Sequence, residues 1–146
     1  MFVIFDLDGT LSLAEHRRHY LEKKPKDWDA FYAACDMDAP NVPIIRMLNS
    51  FVEQHHVEIW SGRREAERDK TIAWFAAHDC MFEGVMRLRM RPDKDHRPDD
   101  ILKAEWLDTV LADDFPPDLV FDDRDRMVAM WRARGIVCCQ VAPGNF

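Results

Sequence analysis

The sequence predicts a doubly wound α/β fold, in which helices cover both faces of a mostly parallel β-sheet. The first observation is that five short apolar runs alternate with stretches of helical periodicity along the chain. The second is that three of these runs end abruptly in polar clusters, and ligands bind at the carboxyl ends of strands in such sheets. A length of 146 residues suits one domain.

The first strand is the apolar run Met1–Phe5, whose β-branched and aromatic residues suit a strand buried on both faces. Asp6 and Asp8 follow it, and strand alternation places both carboxylates on the same side. Such close like charges repel unless a cation or a shared proton relieves them. An ordinary polar turn is the alternative interpretation. We favour a functional site, because two carboxylates beside a buried strand are costly without a purpose.

A polar stretch with the basic cluster His16–His19 follows, and then Trp28, Phe31 and Tyr32 at helical spacing. This pattern predicts a small helical insertion over about residues 14–38, laid across the carboxyl edge of the sheet and too short for a large cap. The aromatic residues either pack inside the insertion or stack on a base of the substrate.

The remaining elements continue the alternation. They are a helix capped by Asn41, a strand over 57–60, a helix over 65–77, a strand over 85–91, a helix from Asp99, a strand over 119–121, a helix ended by Gly135 and a strand over 136–141. Arginines alternate along the third strand. They indicate either a charged edge strand or a basic strip that faces the substrate.

Polar clusters at the ends of three parallel strands would meet at one edge of the sheet. They are Asp6 with Asp8, Ser61 with Arg63, and Asp122 with Asp123. Four carboxylates at one place require a hard cation, and oxygen ligands favour Mg²⁺. Lys103 lies one turn into a helix that begins near this edge, where its ammonium group can reach a phosphate. The pattern therefore indicates a magnesium site that handles phosphate.

The segment Asp6-Leu7-Asp8-Gly9-Thr10 resembles the DxDGT motif of the haloacid dehalogenase (HAD) superfamily. Ser61, Lys103 and the Asp122-Asp123 pair resemble the other motifs of that superfamily, and they occur in the same order. The resemblance implies a three-layer Rossmann-like sandwich with a five-stranded sheet of order 5-4-1-2-3. It also implies phosphatase chemistry that depends on Mg²⁺.

By this resemblance Asp6 is the nucleophile, which forms an aspartyl-phosphate. Asp8 is the acid that protonates the leaving oxygen and then the base that activates water. We expect Asp8 to hold a proton near neutral pH, because other carboxylates crowd it. Ser61 and Lys103 would hold the phosphoryl oxygens. The metal ligands would be Asp6, the backbone carbonyl of Asp8, Asp122 and Asp123.

Three further segments look like the 3′-phosphatase domain of phage-type polynucleotide kinase–phosphatase. They are Ser61–Arg63, Arg97–Lys103 and Asp122–Phe146, with a weaker match over residues 12–56. This similarity adds Arg17 and Arg63 as phosphate or substrate contacts and Asp99 as the residue that orients Lys103. Gly62 would let the backbone approach a ligand. A solvated loop cation remains the alternative for Arg17.

The substrate expected from this similarity is a 3′-phosphate at the end of a nucleic acid. The alternative is a free nucleoside monophosphate, as for a 5′-nucleotidase, or another small phosphomonoester. A non-catalytic HAD module is a third hypothesis, but the intact Asp6, Asp8, Lys103 and Asp122 argue against it. The net charge of −7 argues against a strong non-specific grip on long nucleic acid and leaves room for a local basic groove.

The compartment expected from the sequence is the cytoplasm. No stretch approaches the roughly 20 apolar residues of a membrane helix, and no charged leader precedes the first strand. The four cysteines lack metal-binding spacing and are expected to be reduced core thiols. They are Cys35, Cys80, Cys138 and Cys139. The pattern leaves open whether the chain is a monomer or a homodimer.

Overall fold

A computed structural model of the chain, which describes residues 1–145, contains a five-stranded parallel sheet with helices on both faces. In chain order the strands are β1 (Phe2–Phe5), β2 (Ser12–Leu13), β3 (Ala39–Pro40), β4 (His56–Arg64), β5 (Arg87–Arg91), β6 (Leu119–Asp122) and β7 (Cys138–Gln140). The α-helices are α1 (His19–Glu22), α2 (Trp28–Ala33), α3 (Val42–Val52), α4 (Arg68–Ala77), α5 (Asp99–Ala112) and α6 (Asp125–Ala133). Short 3₁₀ helices cover Ala14–Arg17, Cys35–Met37, Glu65–Glu67 and Phe82–Gly84. In this part of the chain no helix is long and apolar enough to cross a membrane.

The strand order of the main sheet is β5-β4-β1-β6-β7, not the expected 5-4-1-2-3. The numbers differ because β2 and β3, which the sequence pattern does not predict, form a separate two-stranded sheet and take the second and third labels. With these two left out, the main strands in chain order run 3-2-1-4-5, which is 5-4-1-2-3 counted from the other edge. β1 therefore lies in the centre, between β4 and β6.

Strand β1 is buried on both faces, as its composition predicts. Its side chains alternate between two apolar clusters: Val3 and Phe5 belong to one, and Phe2 and Ile4 to the other. The first cluster includes residues of α3 and α4, and the second includes residues of α5 and α6. The sheet is thus the middle layer of three.

The insertion predicted over residues 14–38 lies between β1 and α3, and its regular elements are helical, as predicted. Its base is closed by the antiparallel pair β2–β3, in which Ser12 lies opposite Pro40. Helices α1 and α2 lie inside this closure. Asn41 occupies the cap position of α3, but its side chain makes no capping bond and instead donates to the Thr10 carbonyl at 2.8 Å. That bond ties α3 to the loop after β1.

Candidate active site

The parallel pairing of β1 with β6 brings the first and last carboxylates of the predicted site together. Phe5 lies opposite Phe121, and the Asp6 backbone N–H donates to the Phe121 carbonyl at 2.9 Å. The side chains of Asp6, Asp122 and Asp123 are all buried, and each offers an oxygen within 4.8 Å of the others. The convergence predicted at the carboxyl edge of the sheet is therefore present for these three residues.

Lys103 supplies a buried positive charge to this cluster. Because α5 begins at Asp99, Lys103 lies one turn into the helix, and its Nζ reaches Asp6 Oδ1 at 2.5 Å and Asp122 Oδ2 at 3.4 Å. Burial alone would lower the pKa of Lys103, but the charges of Asp122 and Asp6 raise it above its usual value. The lysine therefore stays protonated beside Asp6.

Three carboxylates against one ammonium leave the cluster with an excess of negative charge. Burial, followed by the charges of Asp122 and Asp123, raises the pKa of Asp6 well above its usual value, although Lys103 opposes this. Burial and the charge of Asp122 raise the pKa of Asp123 to about 6. A divalent cation would balance the excess, and carboxylate oxygens are its preferred ligands. The residues present therefore fit a divalent metal ion.

Gly9 allows Asp123 to approach the loop after β1. Its φ of +95° lies in the left-handed region, and an added Cβ would lie 2.1 Å from Oδ2 of Asp123. The Thr10 hydroxyl donates to Oδ1 of the same carboxylate at 3.5 Å. Gly9 and Thr10 thus hold the loop after β1 close to the Asp123 carboxylate.

Asp8 lies among arginines rather than among carboxylates. Its Oδ1 accepts from Nη2 of Arg17 and from Nη2 of Arg63, both at 2.6 Å, and from the Ser12 hydroxyl at 3.1 Å. Burial would raise the pKa of Asp8, but the charges of Arg63 and Arg17 hold it well below its usual range. The expectation that carboxylate crowding keeps Asp8 protonated is therefore wrong.

Arg17 and Arg63 are fully buried, so the alternative of a solvated loop cation does not hold for Arg17. Both guanidinium groups bridge Asp8 to a second carboxylate, Asp38. The Oδ2 atom of Asp38 accepts from Nη2 of Arg17 at 2.6 Å and from Nη2 of Arg63 at 2.8 Å. His16 Nε2 lies 2.8 Å from the other oxygen of Asp38. The structure thus brings both arginines to Asp8 and forms a network of four charges, in which Arg17, Arg63 and Asp38 are buried and Asp8 is partly exposed to the cleft.

Asp38 is a residue that the sequence pattern does not reveal. It follows the 3₁₀ turn Cys35–Met37 at the end of the insertion and is buried, whereas the side chain of nearby Asp36 is 45% exposed. No local pattern separates these two aspartates. Arg17 is the residue that could have pointed to Asp38, because a buried arginine requires an anionic partner.

Ser61, Gly62 and Arg63 lie within β4, which continues beyond the predicted end at Trp60. The Ser61 hydroxyl is buried and accepts from the Arg63 backbone N–H at 3.1 Å. An added Cβ on Gly62 would lie 2.6 Å from Oδ1 of Asp99. The close neighbour of Gly62 is therefore a side chain of the protein itself.

Asp99 forms ion pairs with Arg91 and with Arg124, the latter at 2.8 Å. The expected role of orienting Lys103 is not reflected in these contacts, since within residues 1–145 the hydrogen bonds of Lys103 go to Asp6 and Asp122. Arg91 also donates to the Gly62 carbonyl at 3.0 Å. Asp99 therefore links Arg124 to Arg91 at the end of β5, and Arg91 in turn links to the end of β4.

A cleft opens over the carboxylate cluster, and the insertion forms one of its walls. Asp6, Asp8, Lys103, Asp122 and Asp123 line it together with Gly9, Arg18, Gly62, Asp99, Arg124 and the aromatic residues of α2. Phe31 is buried against the guanidinium of Arg17, 4.2 Å from the ring centroid. Trp28 is 44% exposed, and the Tyr32 hydroxyl donates to the Gly62 carbonyl at 3.3 Å.

Comparison with known proteins relates this arrangement to a family. The family model described as the polynucleotide kinase PNKP phosphatase domain matches residues 1–146. A chain in a structure of the Pnkp1/Rnl/Hen1 RNA repair complex is 32% identical with a TM-score of 0.82, over 99% of this chain and 43% of that chain. A second structure of the Pnkp1/Rnl/Hen1 complex gives the same identity and TM-score, over 99% of this chain and 46% of that one.

This chain therefore spans less than half the length of those relatives. The haloacid dehalogenase-like hydrolase SP0104 from Streptococcus pneumoniae shares the fold at 14% identity and a TM-score of 0.63, over 95% of this chain and 83% of that chain. HAD phosphatases generally use a divalent metal, which the buried carboxylates fit. The chain belongs to the PNKP phosphatase-domain family and is a HAD-family phosphatase.

Proposed function

We propose that this chain is a Mg²⁺-dependent phosphomonoester hydrolase that removes 3′-phosphates from the ends of nucleic acids. The observation that carries the proposal is the buried cluster of Asp6, Lys103, Asp122 and Asp123 at the floor of an open cleft. Family membership supports the phosphatase chemistry. The RNA repair complex that contains a related chain supports a nucleic-acid substrate.

Asp6 is the proposed nucleophile. Its carboxylate attacks phosphorus, so that a bond from Asp6 to phosphorus forms while the bond to the leaving 3′-oxygen breaks. Water then attacks phosphorus and releases inorganic phosphate, which restores the Asp6 carboxylate. Lys103, fixed 2.5 Å from Asp6, holds the phosphoryl oxygens as their charge develops, and Ser61 is proposed to assist it.

Asp8 is proposed to manage the protons of both steps. It lies at the end of β1 beside the nucleophile and lines the cleft. Because Arg17 and Arg63 keep Asp8 ionised before the substrate binds, the proton of the first step is proposed to enter with the phosphomonoester monoanion, and Asp8 relays it to the leaving oxygen. The water that attacks in the second step gives a proton to Asp8. Arg17 and Arg63 act through Asp8, because their hydrogen bonds fix the position of its carboxylate. Asp99 is proposed to hold Arg124 at the cleft for contact with the substrate.

Mg²⁺ is the proposed metal. Its ligands would be Asp6, the backbone carbonyl of Asp8, Asp122 and Asp123, an all-oxygen set that suits a hard cation. When bound, Mg²⁺ would offset the negative charge of both the carboxylates and the phosphate, so that an anionic nucleophile can approach an anionic substrate.

The free thiols of the four cysteines support a reducing cytoplasmic compartment.

We also propose one phosphatase domain for the whole chain, since both apolar clusters are built on the same sheet.

The substrate is tested by phosphate release in the presence of Mg²⁺. A 3′-phosphorylated oligonucleotide is compared with nucleoside 3′- and 5′-monophosphates, and we expect the highest kcat/KM for the oligonucleotide. The second candidate function is hydrolysis of free nucleotides. It is favoured by Trp28 and Tyr32, because they line the same cleft as Asp6 and one base could stack on them. A higher kcat/KM for a nucleoside monophosphate, with no release from the oligonucleotide, would establish that alternative.

The chemistry is tested by Asp6→Asn, which removes the nucleophile but preserves the shape of the side chain. We expect kcat to fall by about 10⁴-fold or more, since loss of a catalytic nucleophile has costs of this order. Asp108→Asn is the matched control, because Asp108 is exposed and pairs with Arg134 outside the cleft. Phosphatase activity retained by Asp6→Asn would contradict the proposed mechanism.

A further inference from the structure

A second groove, here called the basic groove, adjoins the cleft. Six cationic side chains line it, against three carboxylates, in a chain whose net charge is −7. The cations are Lys26, Arg64, Arg91, Arg97, Arg124 and Arg126. Positive charge is thus concentrated in one place on an acidic protein, as expected where a polyanion binds.

The basic groove and the cleft are continuous. Trp28, Tyr32, Asp99 and Arg124 line both of them. A ligand whose phosphate lies over Asp6 can therefore extend past Trp28 into the basic groove. A free mononucleotide would occupy the cleft alone, whereas the basic groove can only be reached by a longer chain that starts from the same phosphate.

The arginines at the outer part of the basic groove are accessible. The side chain of Arg97 is 44% exposed and pairs with Asp95 and Glu105, and that of Arg126 is 51% exposed and pairs with Asp100 at 3.2 Å. Exposed ion pairs contribute little to stability, so a phosphodiester can replace the carboxylate partner at small cost. Arginine also suits phosphate oxygens, which it can bind through two parallel N–H groups.

Trp28 offers an aromatic face at the junction of the cleft and the basic groove. It lies four residues before Tyr32 on α2, and the two rings stack at 5.9 Å with an interplanar angle of 25°. Among residues 1–145, the two apolar clusters do not include Trp28. Arg64 steadies this helix through its position over the Tyr32 ring and its ion pair with Asp29. Trp28 is thus supported by Tyr32 but remains 44% exposed, and Lys26 Nζ lies 5.6 Å from its ring centroid, so a base that reaches the ring also meets a positive charge.

We propose that the basic groove binds the unpaired nucleotides next to the terminal phosphate, with a base stacked on Trp28 and backbone phosphates held by Arg97 and Arg126. This inference rests on the proposed function and specifies its substrate as a single-stranded polynucleotide end. A base inside a duplex is already stacked on both faces and lies against a partner strand, so a strand that follows the basic groove with a base against Trp28 has to be unpaired there. Stacking combined with a basic path is the usual way in which proteins bind single strands without sequence preference.

The experiment measures kcat/KM for 3′-phosphorylated single strands of one to eight nucleotides and for p-nitrophenyl phosphate. We expect the ratio of the oligonucleotide value to the p-nitrophenyl phosphate value to rise with length and then level off. We expect Trp28→Ala to lower this ratio for the longer strands by about tenfold. Trp28→Phe, which keeps an aromatic face, should retain most of it, and this variant separates loss of stacking from loss of folding.

The charge contribution is tested by the double variant Arg97→Gln with Arg126→Gln. For an oligonucleotide, the slope of log kcat/KM against log salt should become shallower by about 1.4, since each phosphate contact on a single strand contributes about 0.7. Arg134→Gln is the matched control: its side chain is 37% exposed and ion-paired with Asp108, and it lines neither the cleft nor the basic groove. It should keep the wild-type slope.

Two outcomes would overturn the inference. One is a wild-type ratio that does not change with length, or that is equal for a blunt duplex and a single strand. The other is an equal loss on p-nitrophenyl phosphate and on oligonucleotides in the Trp28→Ala and double arginine variants. Failure of the proposed function gives a different result, namely no phosphate release from any 3′-phosphorylated strand while p-nitrophenyl phosphate is hydrolysed.

Discussion

Asp38 is the residue on which the arrangement around Asp8 depends. Arg17 and Arg63 are fully buried, and two buried guanidinium groups require two anions. Asp8 supplies one and also faces the cleft, while Asp38 supplies the other from the interior. Asp38 thus leaves Asp8 available to the cleft without leaving an arginine unpaired.

Asp38→Asn should lower the free energy of unfolding by about 3–5 kcal/mol, because removing one partner leaves buried charge uncompensated. Urea unfolding measures the change. Asp36→Asn is the control, since the side chain of Asp36 is half-exposed and its nearest cation, Lys70, is 4.0 Å away. We expect a change within about 0.5 kcal/mol there. Equal effects at the two positions would contradict the assigned role of Asp38.

The difference between these two aspartates shows which site residues the sequence can predict. Asp6 and Asp122 follow recognisable apolar strands, and strand periodicity with parallel pairing brings them together. Lys103 follows from the start of a helix. Asp38 lies at the end of an irregular turn, where only tertiary packing decides which side chain turns inward.

At the scale of elements, the loop after β1 and the end of α6 both contain a glycine with positive φ. Gly9 has a φ of +95° and Gly135 a φ of +77°. They differ in their surroundings. An added Cβ on Gly9 would meet Asp123 at 2.1 Å, whereas an added Cβ on Gly135 would have no atom of the described residues within 4 Å apart from its chain neighbours and the backbone of α6.

Gly9→Ala should therefore both destabilise the protein and abolish most activity, since Asp123 must move out of the carboxylate cluster. Gly135→Ala should cost only about 1–2 kcal/mol of backbone strain and keep the wild-type kcat. Thermal unfolding and phosphate release measure the two effects. Wild-type kcat in Gly9→Ala would refute the argument that close packing of this loop against Asp123 matters for the site.

Strand β7 places two adjacent cysteines in different environments. Cys138 is buried and Cys139 is exposed, so the expectation of four core thiols is wrong for Cys139. Burial raises the pKa of Cys138 and of Cys80 to about 12, so both stay protonated and unreactive in the folded protein. Cys35 is likewise buried, and its pKa is raised by burial.

At pH 8 a disulfide reagent such as dithionitrobenzoate should therefore react rapidly with one thiol of the native protein and with all four after unfolding. Cys139→Ser should eliminate the rapid phase. A rapid phase that survives this substitution would show that a second thiol is accessible.

The elements that the sequence pattern does not predict are the short ones. β2 and β3 have two residues each, which is too few for any periodicity to register. β4 extends beyond its predicted end because the side chains of Ser61 and Arg63 hydrogen-bond to partners inside the protein, so their polarity does not mark a loop. Apolar strands and helices with clear periodicity are predicted well, because they are long enough for the periodicity to register.

For the whole molecule, the carboxylate cluster joins residues that are far apart in the sequence. Asp6 and Lys103 are 97 positions apart, and both Asp122 and Asp123 come from the opposite end of the chain. Folding therefore concentrates like charge at the centre of the sheet, which costs stability unless a cation is present. A metal should consequently stabilise the entire fold as well as serve the reaction.

Mg²⁺ should raise the melting temperature of the wild-type protein at pH 7 by several degrees, since a ligand at about 100 times its Kd adds roughly 2.7 kcal/mol. Chelation by EDTA should reverse the shift.

Metal-free Asp123→Asn should melt above the metal-free wild type, because one of three buried like charges is removed. Mg²⁺ should then raise the melting temperature of this variant only slightly. Asp108→Asn, outside the cluster, should keep the full shift. An undiminished Mg²⁺ shift in Asp123→Asn would exclude Asp123 from the metal site, whereas no shift in the wild type would exclude a stabilising site altogether.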